Sequence, residues 1–279
     1  TKIAKFRSAV QKKPSIAKHG PIYHIEKSGA GQIVLVGPPN TGKSMLVKSL
    51  TNAHPEIGEY PFTTRIPLPA MMPFENTQIQ LVDTPPITPE YMEPWYPELI
   101  KGADGIMFVL DLGSPDQNAI FRALQEKLRE KKVAIVRDDQ DIPSEEKLFW
   151  KRAIIVANKS DLPQAKENLD ALSQTLHPEF DPFPVSAFRG DGLEELKRKT
   201  FLLLGVLRVY SKVPGKKIDI DEPFIFKRGS TLMDMARAVH KDFAQKLKYA
   251  RIWGKNKYKG QKVTRDYILE DEDVIELHI

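Results

Sequence analysis

Gly37-Pro38-Pro39-Asn40-Thr41-Gly42-Lys43-Ser44 is the stretch whose reading decides the fold. It fits G-x-x-x-x-G-K-[ST]. An apolar run over 32–36 that reads as a buried strand precedes it, and Met45, Leu46, Val47 and Leu50 follow at helical spacing. Strand, glycine turn and helix in this order make a cradle for phosphate. Backbone N–H groups of the turn and of the helix N-terminus point at phosphate oxygens, Lys43 reaches the terminal phosphates, and the Ser44 hydroxyl suits magnesium. Gly37, Pro38, Pro39, Asn40, Thr41, Gly42, Lys43, Ser44 and Met45 are the candidate phosphate-contacting residues. The bland alternative is a glycine-rich turn with an incidental Lys-Ser, and the flanking strand and helix argue against it.

Outward from this loop, residues 79–82, 105–110, 153–157 and 183–185 are further apolar runs of strand length, each followed by a polar cluster. Five such runs separated by helix-length segments predict an α/β fold with a mainly parallel sheet covered on both faces. The last helix of this unit is expected to start at Asp191, with Glu194 and Glu195 at the positive end of its dipole, and to reach about Leu207. The texture changes after Pro214. Residues 217–220 and 223–226 read as short strands, and Leu232, Met235, Ala236, Val239, Phe243 and Leu247 recur at helical spacing behind Ser230 and Thr231. One amphipathic helix laid across a small sheet is the economical fold there. The expected organisation is a basic segment over 1–30, a nucleotide domain over 31–208 and a small domain over 209–279.

Asn158-Lys159-Ser160-Asp161 follows directly on the strand ending at Ala157. This is a guanine-reading pattern: a carboxylate at Asp161 accepts both hydrogens of guanine's ring nitrogen and exocyclic amine, which adenine does not offer. Ser186-Ala187, after the last strand, supplies a backbone N–H for the guanine carbonyl, and Phe188 completes that segment. N-K-x-D alone is a weak tetrapeptide and Ser-Ala weaker. At the C-terminal ends of successive strands they reinforce one another, because open α/β sheets bind ligands at that edge. Between them lie Tyr60-Pro61-Phe62-Thr63-Thr64 and Asp83-Thr84-Pro85-Pro86. Thr64 can join Ser44 on magnesium when a γ-phosphate is present, and Asp83 can hold a magnesium-bound water. For the threonine pair an exposed turn is an equal alternative.

The chain has 279 residues, 41% hydrophobic and 28% charged, enough to bury a core in one large or two ordinary domains. Without cysteine it has no disulfide framework, cysteine-ligated metal or thiol nucleophile. Its longest apolar runs, such as 106–110 and 201–204, fall far short of the ~18 residues that span a bilayer. No membrane partner is expected, and the expected location is cytoplasmic. The six histidines lack metal-ligand spacing, and His240 is expected on the polar side of its helix. The net charge of +5 is uneven: seven Lys/Arg against one acid over 1–30, twenty against twenty-five over 31–208, fifteen against eleven over 209–279.

Taken together these segments resemble the Obg-like branch of GTPases, and within it the developmentally regulated GTP-binding (DRG) type. The resemblance spans residues 31–279. It rests on GPPNTGKS, YPFTTR, DTPP, NKSD and SAF, and on HKDFAQKLKYARIWG with LEDEDVIEL, which is similar to the TGS domain closing those proteins. It implies a Ras-like P-loop nucleotide domain, a small β-grasp, ubiquitin-like TGS domain, magnesium with GTP or GDP, and work on ribosomes or other RNA. The chain departs from the family pattern at Pro86, where D-x-x-G has glycine. No long basic insertion follows, and residues 85–97 hold five prolines. As in the family, no glutamine follows this motif to orient water; here the residue is Ile87. Asn40 matches the asparagine that in related GTPases ligates a potassium ion in place of an arginine finger. The resemblance therefore makes Lys43, Thr64 and Asn40 the catalytic candidates and potassium a second candidate cation.

Lys246, Lys248, Arg251, Lys255, Lys257, Lys259, Lys262 and Arg265 form a stripe interleaved with Tyr249, Trp253 and Tyr258 and free of acids from Ala244 to Arg265. Such charges attract phosphates and exposed aromatics stack on bases, so RNA is the expected partner. The bland alternative is a solvated face with Tyr249 and Trp253 turned into the core; the charges are a candidate RNA surface in either case, and a protein is the other candidate partner of this domain. The preferred reading is a GTP-binding protein hydrolysing GTP slowly to GDP. A non-hydrolysing guanine-nucleotide sensor of alarmone type, favoured by Pro86, and an RNA-binding adaptor with a vestigial site are the alternatives.

Overall fold

A computed structural model describes residues 25–51, 66–137, 140, 142, 143, 147–215, 218, 222–254, 258 and 260–279. The first of two units ends at Leu204. It runs β1 (Gln32–Val36), α1 (Lys43–Leu50), β2 (Leu68–Phe74), β3 (Thr77–Asp83), α2 (Tyr96–Gly102), β4 (Gly105–Asp111), α3 (Gln117–Glu130), β5 (Val133–Arg137), β6 (Phe149–Asn158), α4 (Ala165–Leu176), β7 (Phe183–Pro184) and α5 (Leu193–Leu204). The sheet order is β2-β3-β1-β4-β6-β5, with β7 pairing on β6. Among the described strands of this sheet β2 alone is antiparallel, as the hairpin partner of β3.

Every position of β1 is buried, and so is β4 up to Leu110, the signature of strands covered on both faces. Phe108 on β4 meets Phe121 of α3 edge to face at 5.0 Å, and Phe121 meets Phe180 at 5.6 Å. The parallel register (Val36 opposite Phe108, Asp111 opposite Asn158, Ala157 opposite Pro184) brings the C-terminal ends of β1, β4, β6 and β7 to one edge. The loops carrying the motifs leave from that edge. Leu68–Phe74, not singled out from the sequence, is a strand although it contains Pro69 and Pro73; an edge strand tolerates proline. Likewise β6 is ten residues long rather than the apolar 153–157, because its first half lies against β5 alone.

The last helix ends at Leu204, not Leu207. Gly205 takes a left-handed φ of 61° and stops it, and the next residues are a strand of the second unit. The division therefore falls between Leu204 and Gly205 rather than at 208. The second unit runs β8 (Val206–Ser211), β9 (Phe224–Lys227), α6 (Leu232–Val239), α7 (Lys241–Lys246), β10 (Tyr249–Trp253), β11 (Gln261–Val263) and β12 (Asp273–His278), in the order β11-β10-β12-β8-β9 with β8 and β12 parallel. Most of the strand expected at 217–220 lies outside the described residues. Leu232, Met235 and Ala236 of α6 pack on Leu207, Val209, Ile252 and Ile275, each large side chain contributing roughly 1.5–3 kcal/mol. Thr231 and Asp234 form a capping box. The single helix expected to Leu247 is broken at His240. That residue, expected on the polar side of a continuous helix, is instead extended (φ −173°), and its Nδ1 accepts the Asp242 N–H at 3.1 Å, capping α7.

Candidate functional site

The turn after β1 is built around two close approaches. A Cβ on Gly37 would lie 2.4 Å from the Val109 carbonyl oxygen, and one on Gly42, whose φ is +86°, would lie 2.4 Å from Asn158 Nδ2. Only glycine fits either place. No side chain caps α1, so its first-turn N–H groups are aimed out of the helix end into the loop. Lys43 is buried with its Nζ donating to the Gly37 and Pro38 carbonyls at 3.0 and 2.8 Å. Burial brings its pKa down to about 8, against the pull of the Asp83 charge. Pro39, Asn40, Ser44 and Met45 are exposed at the loop, and Asn40 is left-handed with φ 64°.

Asp83 ends β3 and is buried, which pushes its carboxyl upward; the Ser44 hydroxyl, the Lys43 charge and the Thr84 N–H oppose that shift. Its Oδ1 has no hydrogen-bond partner among the described residues. A buried carboxylate oxygen with unused lone pairs beside a serine hydroxyl fits a hard, oxygen-seeking cation such as magnesium. Pro86 is exposed, Ile87 is fully buried, and the Ile87 N–H donates to the Gly37 carbonyl at 3.2 Å. Thr64, with the rest of residues 52–65, lies outside the described residues.

At the other end of the site Asn158 is buried and joins two loops. Its Nδ2 donates to the Thr41 carbonyl at 2.8 Å, and its Oδ1 accepts the Ala187 N–H at 3.0 Å. Ser186, fully buried, donates from Oγ to Asp161 Oδ1 at 2.6 Å and holds that carboxyl below its usual range. Lys159 is left-handed (φ 66°) and pairs with Asp111 at 2.6 Å. Phe188 is 78% exposed beside these groups. The phosphate loop, the Asn158–Asp161 turn and the Ser186–Phe188 turn thus stand on one sheet edge. Sequence reading missed Asp111, whose signal was an acid at a strand's C-terminal end. It also missed the buried pair Thr84 and Tyr96, which nothing local announces.

In the second unit, Ala250 and Ile252 enter the core, whereas Tyr249, Arg251 and Trp253 alternate onto the other sheet face. Their rings are covered by the chain itself: Tyr249 stacks on His278 at 4.5 Å with Lys262 Nζ 4.2 Å over it, and Lys212 Nζ stands 4.6 Å over Trp253. Tyr258 is 85% exposed. Lys255, Lys257 and Lys259 lie outside the described residues. No described helix is long and apolar enough to cross a membrane.

Residues 32–159 match the family described as 50S ribosome-binding GTPase, and residues 207–279 match the TGS domain. Developmentally-regulated G-protein 1 of Arabidopsis thaliana is 26% identical, over 99% of this chain and 83% of its own length. An uncharacterized GTP-binding protein of Methanocaldococcus jannaschii is 30% identical, over 92% of this chain and 80% of its own length. The chain belongs to the DRG-type GTP-binding proteins. The alignment with the Methanocaldococcus protein runs over 316 residues, more than this DRG-type chain has, so that relative carries inserted segments which this one lacks. The YchF GTPase of Schizosaccharomyces pombe shares the fold, with a TM-score of 0.62 at 13% identity over 92% of this chain and 100% of that one. As a DRG-type protein the chain binds GTP, through a P-loop domain with a mostly parallel sheet, and carries a separate TGS domain.

Proposed function

We propose that the protein binds magnesium GTP, hydrolyses it slowly to GDP, and couples the two states to ribosomal or other RNA. The observation that carries the nucleotide reading is the Asn158 bridge, which ties the Thr41 loop to the Ala187 loop and so joins a phosphate cradle to a base-reading edge. In this reading Gly37 to Met45 hold the phosphates, Asp161 reads guanine with the Ala187 N–H on its carbonyl, and Lys159 and Phe188 flank the base. Ser44, Asp83 and Thr64 hold magnesium, which when bound draws charge from the phosphate oxygens. Lys43 offsets charge at the γ-phosphate while water attacks. The rate is slow because Ile87 is turned into the core and has no group to orient water. Potassium at Asn40 compensates in part, so potassium should outperform sodium at equal ionic strength. Phosphate release from GTP over many turnovers, with Lys43→Ala as control, tests the reading. GTP bound tightly with no release beyond the Lys43→Ala level would establish the second reading, a non-hydrolysing sensor. Pro86, without an N–H, and Ile87, whose N–H serves Gly37, favour that second reading.

The RNA part rests on the exposed Lys246, Lys248, Arg251 and Lys262 and on the ribosome binding named in the family description. Because Tyr249 and Trp253 are covered by their own chain, the contacts invoked are to phosphates rather than to stacked bases. If about four charges meet phosphates, log affinity falls with log salt at a slope of roughly 3 to 4. Reversing those four residues to Glu in the full chain should flatten that slope and leave GTP affinity unchanged. An unaltered slope would direct the search to a protein partner.

A further inference from the structure

The segment after Asp83 is pinned from behind by a buried hydroxyl pair. Thr84 is 3% exposed and Tyr96, the first residue of α2, is fully buried. Thr84 Oγ1 lies 2.5 Å from the Leu35 carbonyl oxygen on β1 and 2.5 Å from the Tyr96 hydroxyl oxygen. The Thr84 proton goes to Leu35, the closer partner of that carbonyl, and Tyr96 donates to Thr84, its hydroxyl standing 3.4 Å from the same Leu35 oxygen. The backbone N–H of the same Thr84 bears on the Asp83 carboxylate. Pro85 then holds Thr84 in extended backbone, and two residues further the Ile87 N–H closes onto Gly37. Two anchors, Leu35 and Gly37, thus tie this segment to the strand and turn that carry the phosphate loop, and the Tyr96 hydroxyl is the donor on which the first anchor depends.

We infer that Tyr96 is a positioning residue for magnesium: its hydroxyl fixes the Thr84 rotamer, and Thr84 in turn holds the Asp83 carboxylate toward Ser44. Tyr96 touches neither the cation nor the nucleotide. It acts through Thr84, whose Oγ1 it holds against Leu35 in one rotamer and whose backbone N–H bears on Asp83. This rests on the reading of Asp83 and Ser44 as the magnesium groups. Asp83 Oδ1, without a hydrogen-bond partner among the described residues, is the atom whose direction the network sets.

The test uses the full chain loaded with a fluorescent GDP analogue, following its release as magnesium is titrated from excess chelator upward. Tyr96→Phe keeps the ring in the core and removes only the hydroxyl. The magnesium concentration that half-slows release should rise five- to tenfold in this variant, while the release rate in chelator stays within twofold of the unmodified protein. Thr84→Val should give the same rise, Thr84→Ser should give none, and Tyr96→Phe with Thr84→Val should go no further than either alone. Asp83→Ala separates the two ideas. If it leaves the magnesium midpoint in place, the reading of the cation site is wrong; if it abolishes the magnesium effect while Tyr96→Phe leaves the midpoint unmoved, the positioning role is wrong. A Tyr96→Phe variant that releases nucleotide faster in chelator and at saturating magnesium alike, with a lowered melting temperature, would show a merely structural hydroxyl and overturn the inference.

Discussion

Replacing Asn158 by aspartate changes one atom of the bridge and leaves its shape intact. Oδ1 keeps the Ala187 N–H at 3.0 Å, but the atom facing the Thr41 carbonyl at 2.8 Å changes from a donor to an acceptor. Two acceptors at that distance repel in a site only 2% exposed. The new carboxyl can restore the bond only by keeping its proton. For a carboxyl of ordinary pKa ~3.9, holding the proton at pH 7 costs about 4 kcal/mol, and the cost falls by ~1.4 kcal/mol for each unit of acidification. The expected result is a combined loss of about 3 to 4 kcal/mol, divided between folding stability and GDP affinity, which shrinks to roughly 1.5 kcal/mol near pH 5. Asn158→Ala, which deletes both bonds, should cost about 2 to 4 kcal/mol with no such pH dependence. Denaturant unfolding and fluorescent-GDP titration of the three proteins at pH 5, 6 and 7 measure both parts. An Asn158→Asp variant that matches the unmodified protein at pH 7, or a loss that does not shrink on acidification, would show that this bridge does not join the two loops.

Lys43 gives a pH signature of opposite kind. Its folded pKa, about 8, lies below its ordinary value of 10.5, so between those values the unfolded chain holds more protons than the folded one. The stability of the nucleotide-free protein should therefore rise over pH 8 to 10.5, by on the order of 3 kcal/mol relative to Lys43→Met; parallel pH profiles of the two would refute the burial argument. Gly42→Ala places a methyl 2.4 Å from Asn158 Nδ2 at a left-handed residue and should lower GDP affinity at least tenfold. An unchanged titration would mean that the loop relaxes freely. Asp161→Asn should move selectivity from guanine toward xanthine nucleotides, read by competition with XTP and GTP, and persistence of GTP preference would remove Asp161 from the base site.

The parts of this protein that the sequence determines by itself are those whose chemistry is local. Gly37 and Gly42 are required by the backbone that passes them, Lys43 and Ser44 complete the G-x-x-x-x-G-K-[ST] pattern, and the strand before and helix after follow from four apolar residues each at the right spacing. The Asn158–Asp161 and Ser186–Phe188 turns were legible for the same reason, since each stands at the end of a recognisable apolar run. What tertiary structure alone decided involves partners far apart in the chain. Leu68–Phe74 is a strand only because β3 offers an edge that needs no donor from Pro69 or Pro73. Val206–Ser211 could extend a helix or start a strand, and pairing with β9 and β12 after the left-handed Gly205 settles it. The helix stops at His240 because its ring caps the next one, and the rings of Tyr249 and Trp253 leave the core because Ala250 and Ile252 fill it. Asn158 reaching Thr41, Lys159 reaching Asp111 and Tyr96 reaching Thr84 span 117, 48 and 12 residues. No periodicity encodes such pairs, because each depends on where the parallel sheet sets down the ends of strands that are neighbours in space and strangers in sequence.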